Sequence, residues 1–187
     1  MSQTGMKDRN GTKNRTGTEN RNGTRNRAKD IAVMALSVAL AAAGAFIKIP
    51  SPVGTVALDS WPGYACSLVL GPSGSWVAFA GHLASALVSG FPLGPALHAV
   101  IALEMALCAL AFAWVTRRFG YVAGVTVAVL LNGLTAPFAL SPWLGMPLVV
   151  TLFVPLTVAA FVNVTLAALV GRAVSRTLGI PGRLYRG

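Results

Sequence analysis

The stretch I47-KIPSPVGTVALDSWPGYACS-67 carries three prolines, one lysine and one aspartate, and it stands between two apolar runs. Residues 31–46 before it hold no charge, and after Asp59 no Lys, Arg, Asp or Glu occurs until Glu104. A longer charge-free run extends from Phe119 to Gly171. Such runs cannot form the surface of a water-soluble domain, in which about a quarter of the residues are charged. Here 11% of 187 residues are charged, 55% are hydrophobic and the mean hydropathy is +0.67. The chain therefore reads as an all-α integral membrane protein, and the quoted stretch as a stiff connection between two membrane segments.

A spanning helix needs about 20 apolar residues, because the hydrocarbon is about 30 Å thick and each residue advances about 1.5 Å. Residues 31–49, 95–115, 121–140 and 148–170 fit that length. Residues 58–89 are divided by G71-PSG-74 into two arms that are short for full spans. They read as a tilted or partly buried helical hairpin, with a re-entrant pair as the alternative. The result is six transmembrane helices in a compact bundle over residues 31–176. A disordered basic tail is expected over residues 1–30 and a short basic tail over 177–187.

The net charge of +10 is not spread as a nucleic-acid surface would be. Eight basic residues lie in the first 30, and Arg117, Arg118, Arg172, Arg176, Arg183 and Arg186 flank apolar segments. The cytoplasmic excess of Lys and Arg then places both termini and the connections at 71–74 and 116–120 inside the plasma (inner) membrane. Residues 50–60, 89–94 and 141–147 fall outside. Sequons at Asn10, Asn14 and Asn22 lie in the cytoplasmic tail and carry no functional weight. Residues 31–45, ending A43-GA-45, also have the form of a signal peptide, against which stands the unusually long basic region. Cys66 and Cys108 have no His or Cys partner at ligand spacing and read as small hydrophobes, so no metal site is expected.

The three outer connections, P50-SPVGTVALDSWP-62, S89-GFPLGP-95 and S141-PWLGMP-147, are rich in Pro and Gly. Prolines hold such loops in few conformations and so limit the entropy lost on closing over a ligand. Trp61 and Trp143 then read either as the rim of a pocket or as interfacial anchors, and Tyr64 and Asp59 flank Trp61. Within the spans, Glu104 and Asn132 each lie about 12 to 14 Å below the outer edge by helix rise, and His82 falls in the same layer. A buried carboxylate needs a partner, so Glu104 is expected either to bond His82 or Asn132 across helices or to meet a ligand. His98 lies one turn into its helix at the outer mouth, and Asn163 lies deeper and reads as structural. No nucleophile–base set and no Walker motif is present, so neither catalysis nor ATP hydrolysis is expected, nor any cofactor. Ala35, Ala39 and Ala43 share one helix face, a spacing that admits another helix backbone closely.

With these residues in view, the chain resembles the substrate-binding S components of energy-coupling factor (ECF) transporters, the vitamin importers. The resemblance rests on the six-helix layout, the A35-xxx-A39-xxx-A43 stripe, the loop I49-PSPVGTVALDSWPGY-64, the G71-PSG-74 turn and the stretch G81-HLASALVSGFPLGPALH-98. It implies a chain that binds a vitamin or precursor from outside and releases it inward, coupled to a transmembrane T component and two cytoplasmic ATPases. The alanine stripe is then the coupling surface, and the loop bearing Pro50, Pro52 and Asp59 the gate. The wording of that loop and the two histidines look closest to the α-ribazole type, which takes up the nucleoside precursor of the cobalamin lower ligand. Pantothenate, biotin or a hydroxymethylpyrimidine-like solute is the alternative within transport. A membrane assembly or scaffold protein is the alternative outside it. Trp61, Tyr64, His98 and Trp143 would sandwich a flat ring, with His82, Glu104 and Asn132 as polar contacts.

Overall fold

The computed structural model describes the backbone over residues 9–51 and 54–177, and the side chains over residues 26–48 and 57–177. The chain divides into two compact units, Met1–Val33 and Met34–Gly187. The first helix, α1, is Arg9–Gly44 and takes in most of the basic N-terminal stretch. No proline interrupts residues 9–44, so nothing removes a backbone donor from the helical ladder. Residues 1–8 and 178–187, including Arg183 and Arg186, lie outside the described residues.

The first expected span ends early. After Gly44 the chain forms a two-stranded antiparallel hairpin, β1 (Lys48–Ser51) paired with β2 (Gly54–Ala57), with Pro50 opposite Thr55. The described fold is helical apart from this short hairpin, in keeping with the all-α expectation. The β-branched Ile49, Thr55 and Val56 favour extended backbone. Pro52 lies outside the described residues.

The remaining helices are α2 (Trp61–Leu70), α3 (Pro72–Val88), α4 (Pro95–Phe119), α5 (Tyr121–Val129), α6 (Ala136–Ala139), α7 (Ser141–Leu144) and α8 (Met146–Thr177). A π-helical turn, Leu130–Thr135, joins α5 to α6. Prolines 62, 72, 95 and 142 stand at the first turns of their helices, where their missing N–H removes nothing. Among the described residues, three stretches are long and apolar enough to cross a membrane: Pro95–Phe119, Tyr121–Ala139 and Met146–Thr177.

The element that organises the bundle is a helix of only ten residues. α2 packs against α3, α4 and α8, and Pro62 through Leu68 are all buried. It is built from small residues because its neighbours' backbones press on it. A Cβ at Gly63 would stand 2.5 Å from the Ala78 Cα, and a Cβ at Gly171 would stand 2.7 Å from the Leu68 Cδ1. The large side chains of α2 fill what remains: Tyr64 meets Phe112 edge to face at 5.6 Å, and both are fully buried.

A buried ten-residue helix leaves orphan N–H and C=O groups at both ends, and inside a membrane protein these must find partners. Asn163, in the middle of α8, supplies the first end. Its Oδ1 accepts from the N–H of Ser60 at 3.1 Å and of Trp61 at 3.0 Å, while its Nδ2 donates to the Ala159 carbonyl at 3.0 Å. Arg117 supplies the second end, its Nη2 donating to the carbonyls of Ser67 at 2.9 Å and Leu68 at 3.1 Å. Gly71, at φ 69, then turns the chain into α3 in a backbone conformation that side-chain-bearing residues avoid. The connection before α2 therefore reaches the middle of α8, where the sequence had suggested a purely external loop, and α2 can be half the length of a span.

The π turn has a traceable cause. Pro137 has no N–H to offer the carbonyl four residues back, which belongs to Gly133. The Thr157 hydroxyl stands 3.1 Å from that carbonyl and 2.8 Å from the Phe153 carbonyl, so α8 replaces the missing donor. Gly133 allows the approach, since a Cβ there would lie 2.7 Å from the Thr157 Cα. The wider turn shifts the register of the residues it contains, including Asn132.

Candidate ligand-binding site

The side chains singled out in the sequence fall into a histidine pair, an Asp–Ser pair and a group around Tyr64, with Trp143 standing apart. His82 of α3 and His98 of α4 meet directly, Nε2 to Nδ1 at 3.1 Å, with ring centroids 5.3 Å apart. Phe91 sets its ring against His98 at 5.7 Å, and the Leu93 N–H points to His98 Nε2 at 3.4 Å. Hydrogen-bond direction then fixes the tautomers. A ring nitrogen that accepts from a backbone N–H carries no proton, so His98 is protonated on Nδ1 and donates to His82 Nε2. His82 in turn keeps its proton on Nδ1. It therefore presents a donor, and the backbone of the α3–α4 connection dictates that polarity.

One turn along α3 from His82, the Ser85 hydroxyl donates to Oδ2 of Asp59. Asp59 lies in the connection between β2 and α2, and burial pushes its carboxyl up from 3.8 to about 6, while the Ser85 bond pulls the other way. Glu104, Cys108 and Asp59 lie within electrostatic range of the Tyr64 hydroxyl, and the Asn132 amide is near enough to bond it. The Tyr64 hydroxyl is buried and has no well-formed hydrogen bond of its own. Glu104 and Asn132 are half-buried, on α4 and the π turn. Five elements thus carry a histidine pair, an Asp–Ser pair one helical turn from it along α3, and a separate group of Tyr64, Glu104 and Asn132.

Trp61 is half-buried at the start of α2 and packs on the core around Tyr64. Trp143 is different. It sits on α7 with 67% of its surface exposed, and the structure does not bring it to the others. A Trp in a proline-rich turn has the same sequence signature whether it lines a pocket or anchors at an interface, and only packing separates the two. Sequence reasoning did not single out Ser85, whose hydroxyl carries no pattern of its own, nor the capping role of Arg117. Among the described residues no group of three or more His, Cys, Asp or Glu side chains could hold a metal ion.

On α1 the faces divide cleanly. Ala41 and Gly44 are buried, as is Ala45 just beyond the helix, with Ala41 against Gly81 and Gly44 against the Leu58 backbone, and Ser37 accepts from the Cys66 thiol at 3.1 Å. Ala35, Ala39 and Ala43 are exposed.

No protein-family profile matches the chain, and no curated protein does. Among solved structures, one described as the S component of a bacterial ECF transporter aligns with a TM-score of 0.59 at 20% identity. The alignment covers 82% of this chain and 97% of that one, so the two share a fold over nearly the whole of the solved protein.

Proposed function

We propose that this chain is the solute-capture subunit of an ECF-type importer, a multi-pass protein of the plasma membrane that binds a vitamin or vitamin precursor and catalyses no reaction. The observation that carries the reading is the collection of polar side chains, the His82–His98 pair, the Asp59–Ser85 pair and the group around Tyr64, inside a fold shared with an S component. Half-buried Glu104 and Asn132, the under-bonded Tyr64 hydroxyl and the Nδ1 donor of His82 leave unused hydrogen-bonding capacity within apolar helices. Such capacity suits a solute that is mostly flat and apolar with a few polar atoms.

α-Ribazole fits these demands. Its benzimidazole imine nitrogen or a ribose hydroxyl can accept from His82 Nδ1, Trp61 and Tyr64 offer ring faces, and Glu104 and Asn132 offer partners for hydroxyl groups. The hairpin bearing Pro50, with Asp59 behind it, acts as the outward gate, anchored by Asn163. The exposed face of Ala35, Ala39 and Ala43 docks the T component, which carries two cytoplasmic ATPases.

The test is a binding panel on the purified chain alone: α-ribazole, pantothenate, biotin and hydroxymethylpyrimidine. Glu104→Ala and His82→Ala should each weaken the preferred solute about ten- to hundredfold, the loss of one buried bond worth about 1 to 3 kcal/mol. Unchanged binding in both variants would overturn the site.

A further inference from the structure

At the other end of α4 the structure opens a cavity of about 360 Å³ that the solute site does not use, lined by Gly71, Pro72, Leu110, Ala111, Trp114 and Arg117. Its wall is apolar except for one guanidinium. We propose that this groove binds an anionic phospholipid, the phosphate on Arg117 and an acyl chain along Leu110, Ala111 and Trp114.

The charge argument comes first. Arg117 spends only Nη2 on the protein, at the end of α2, and its Nε is buried without a partner. Among the described residues no carboxylate pairs with it; on its own helix the one acid, Glu104, lies more than three turns away. Arg118 follows, exposed. A guanidinium held in place by two carbonyls still has Nη1, neither bonded nor buried, to donate to a phosphate oxygen. Basic pockets between membrane helices hold lipid headgroups in this way.

The apolar wall selects lipid over a free anion. Trp114 is 64% exposed and meets Phe119, equally exposed, edge to face at 6.0 Å in the last turns of the helix. Aromatic rings at that level lie where headgroups meet hydrocarbon. A free phosphate would leave Leu110 and Ala111 uncovered, and a zwitterionic lipid would bring no net charge to Arg117.

The experiment titrates the full-length protein in mild detergent with phosphatidylglycerol, phosphatidylcholine and glycerol 3-phosphate, read by native mass spectrometry and thermal unfolding. Phosphatidylglycerol should bind once per chain at least tenfold more tightly than phosphatidylcholine, and glycerol 3-phosphate should not bind. Ala111→Phe fills the groove and leaves both Arg117 bonds to α2 intact, so it should abolish the preference. Trp114→Ala, at an exposed position that the fold does not need, should weaken it several-fold. Equal binding of the two lipids, binding of glycerol 3-phosphate as tight as that of the lipid, or both variants retaining the preference would overturn the proposal. A groove covered by a protein partner would give the first of these results.

Discussion

Replacing Asn163 with Ala removes one side chain and strands two backbone donors. In the native chain Oδ1 accepts from Ser60 and Trp61 at 3.1 and 3.0 Å, and the residue is 2% exposed, so water cannot take over freely. A buried donor left unpaired costs about 1 to 3 kcal/mol, and two of them about 2 to 4 kcal/mol once the connection relaxes. The damage should be local, because α8 keeps its own backbone ladder while the segment leading into α2 loses its anchor. At about 1.4 kcal/mol per factor of ten, amide exchange at Ser60 and Trp61 should speed up about 30- to 1,000-fold. Exchange in the middle of α4 should change far less. Hydrogen exchange read by mass spectrometry on peptides covering residues 57–64 measures this directly. Asn163→Asp keeps the acceptor and should retain much of the protection. Unchanged exchange in Asn163→Ala would refute the idea that α8 holds the connection down.

Three other outcomes follow from the same geometry. Asp59 has a folded-state pKa of about 6 against an ordinary 3.8, so burying its charge weakens the fold as pH rises from about 4 to 6, by up to about 3 kcal/mol. Thermal unfolding across that window should show the loss in the wild type and not in Asp59→Asn; identical slopes would contradict the burial. Nitrogen-15 NMR of the histidine side chains should find both His82 and His98 protonated on Nδ1, and a proton on His98 Nε2 would refute the donor assignment. Trp143→Ala should leave solute affinity within about twofold, since the ring is exposed, whereas Trp61→Ala should lower it at least tenfold; the reverse ranking would restore Trp143 to the site.

Much of the helical layout was legible because charge and punctuation mark it. Pro95 opens α4 where expected, Arg117 and Arg118 mark its last turn, and the turn at residues 71–74 separates a short helix from a longer one. The hairpin at Lys48–Ala57 was not legible, because Pro and Gly in that stretch equally describe an irregular loop. Nor was the depth to which the connection descends. That depends on Asn163 bonding backbone N–H groups a hundred residues away, and backbone donors leave no mark in a sequence. Counting rise along each helix gives a depth for His82, Glu104 and Asn132 from the sequence alone. Which side chains they touch is not legible there, because direction around a helix axis depends on packing and, for Asn132, on the π turn ahead of Pro137. The histidine pair shows the limit clearly: residues sixteen apart on two helices met ring to ring, while the backbone N–H that fixes their tautomers belongs to Leu93.

Calorimetric titration of the purified chain with α-ribazole, alone and without partner subunits, tests the central claim most directly. One solute per chain with submicromolar affinity, lost in His82→Ala and Glu104→Ala while the fold persists, is the predicted result. Heat no greater than dilution, for α-ribazole and for every other vitamin tried, would contradict a capture function for this chain.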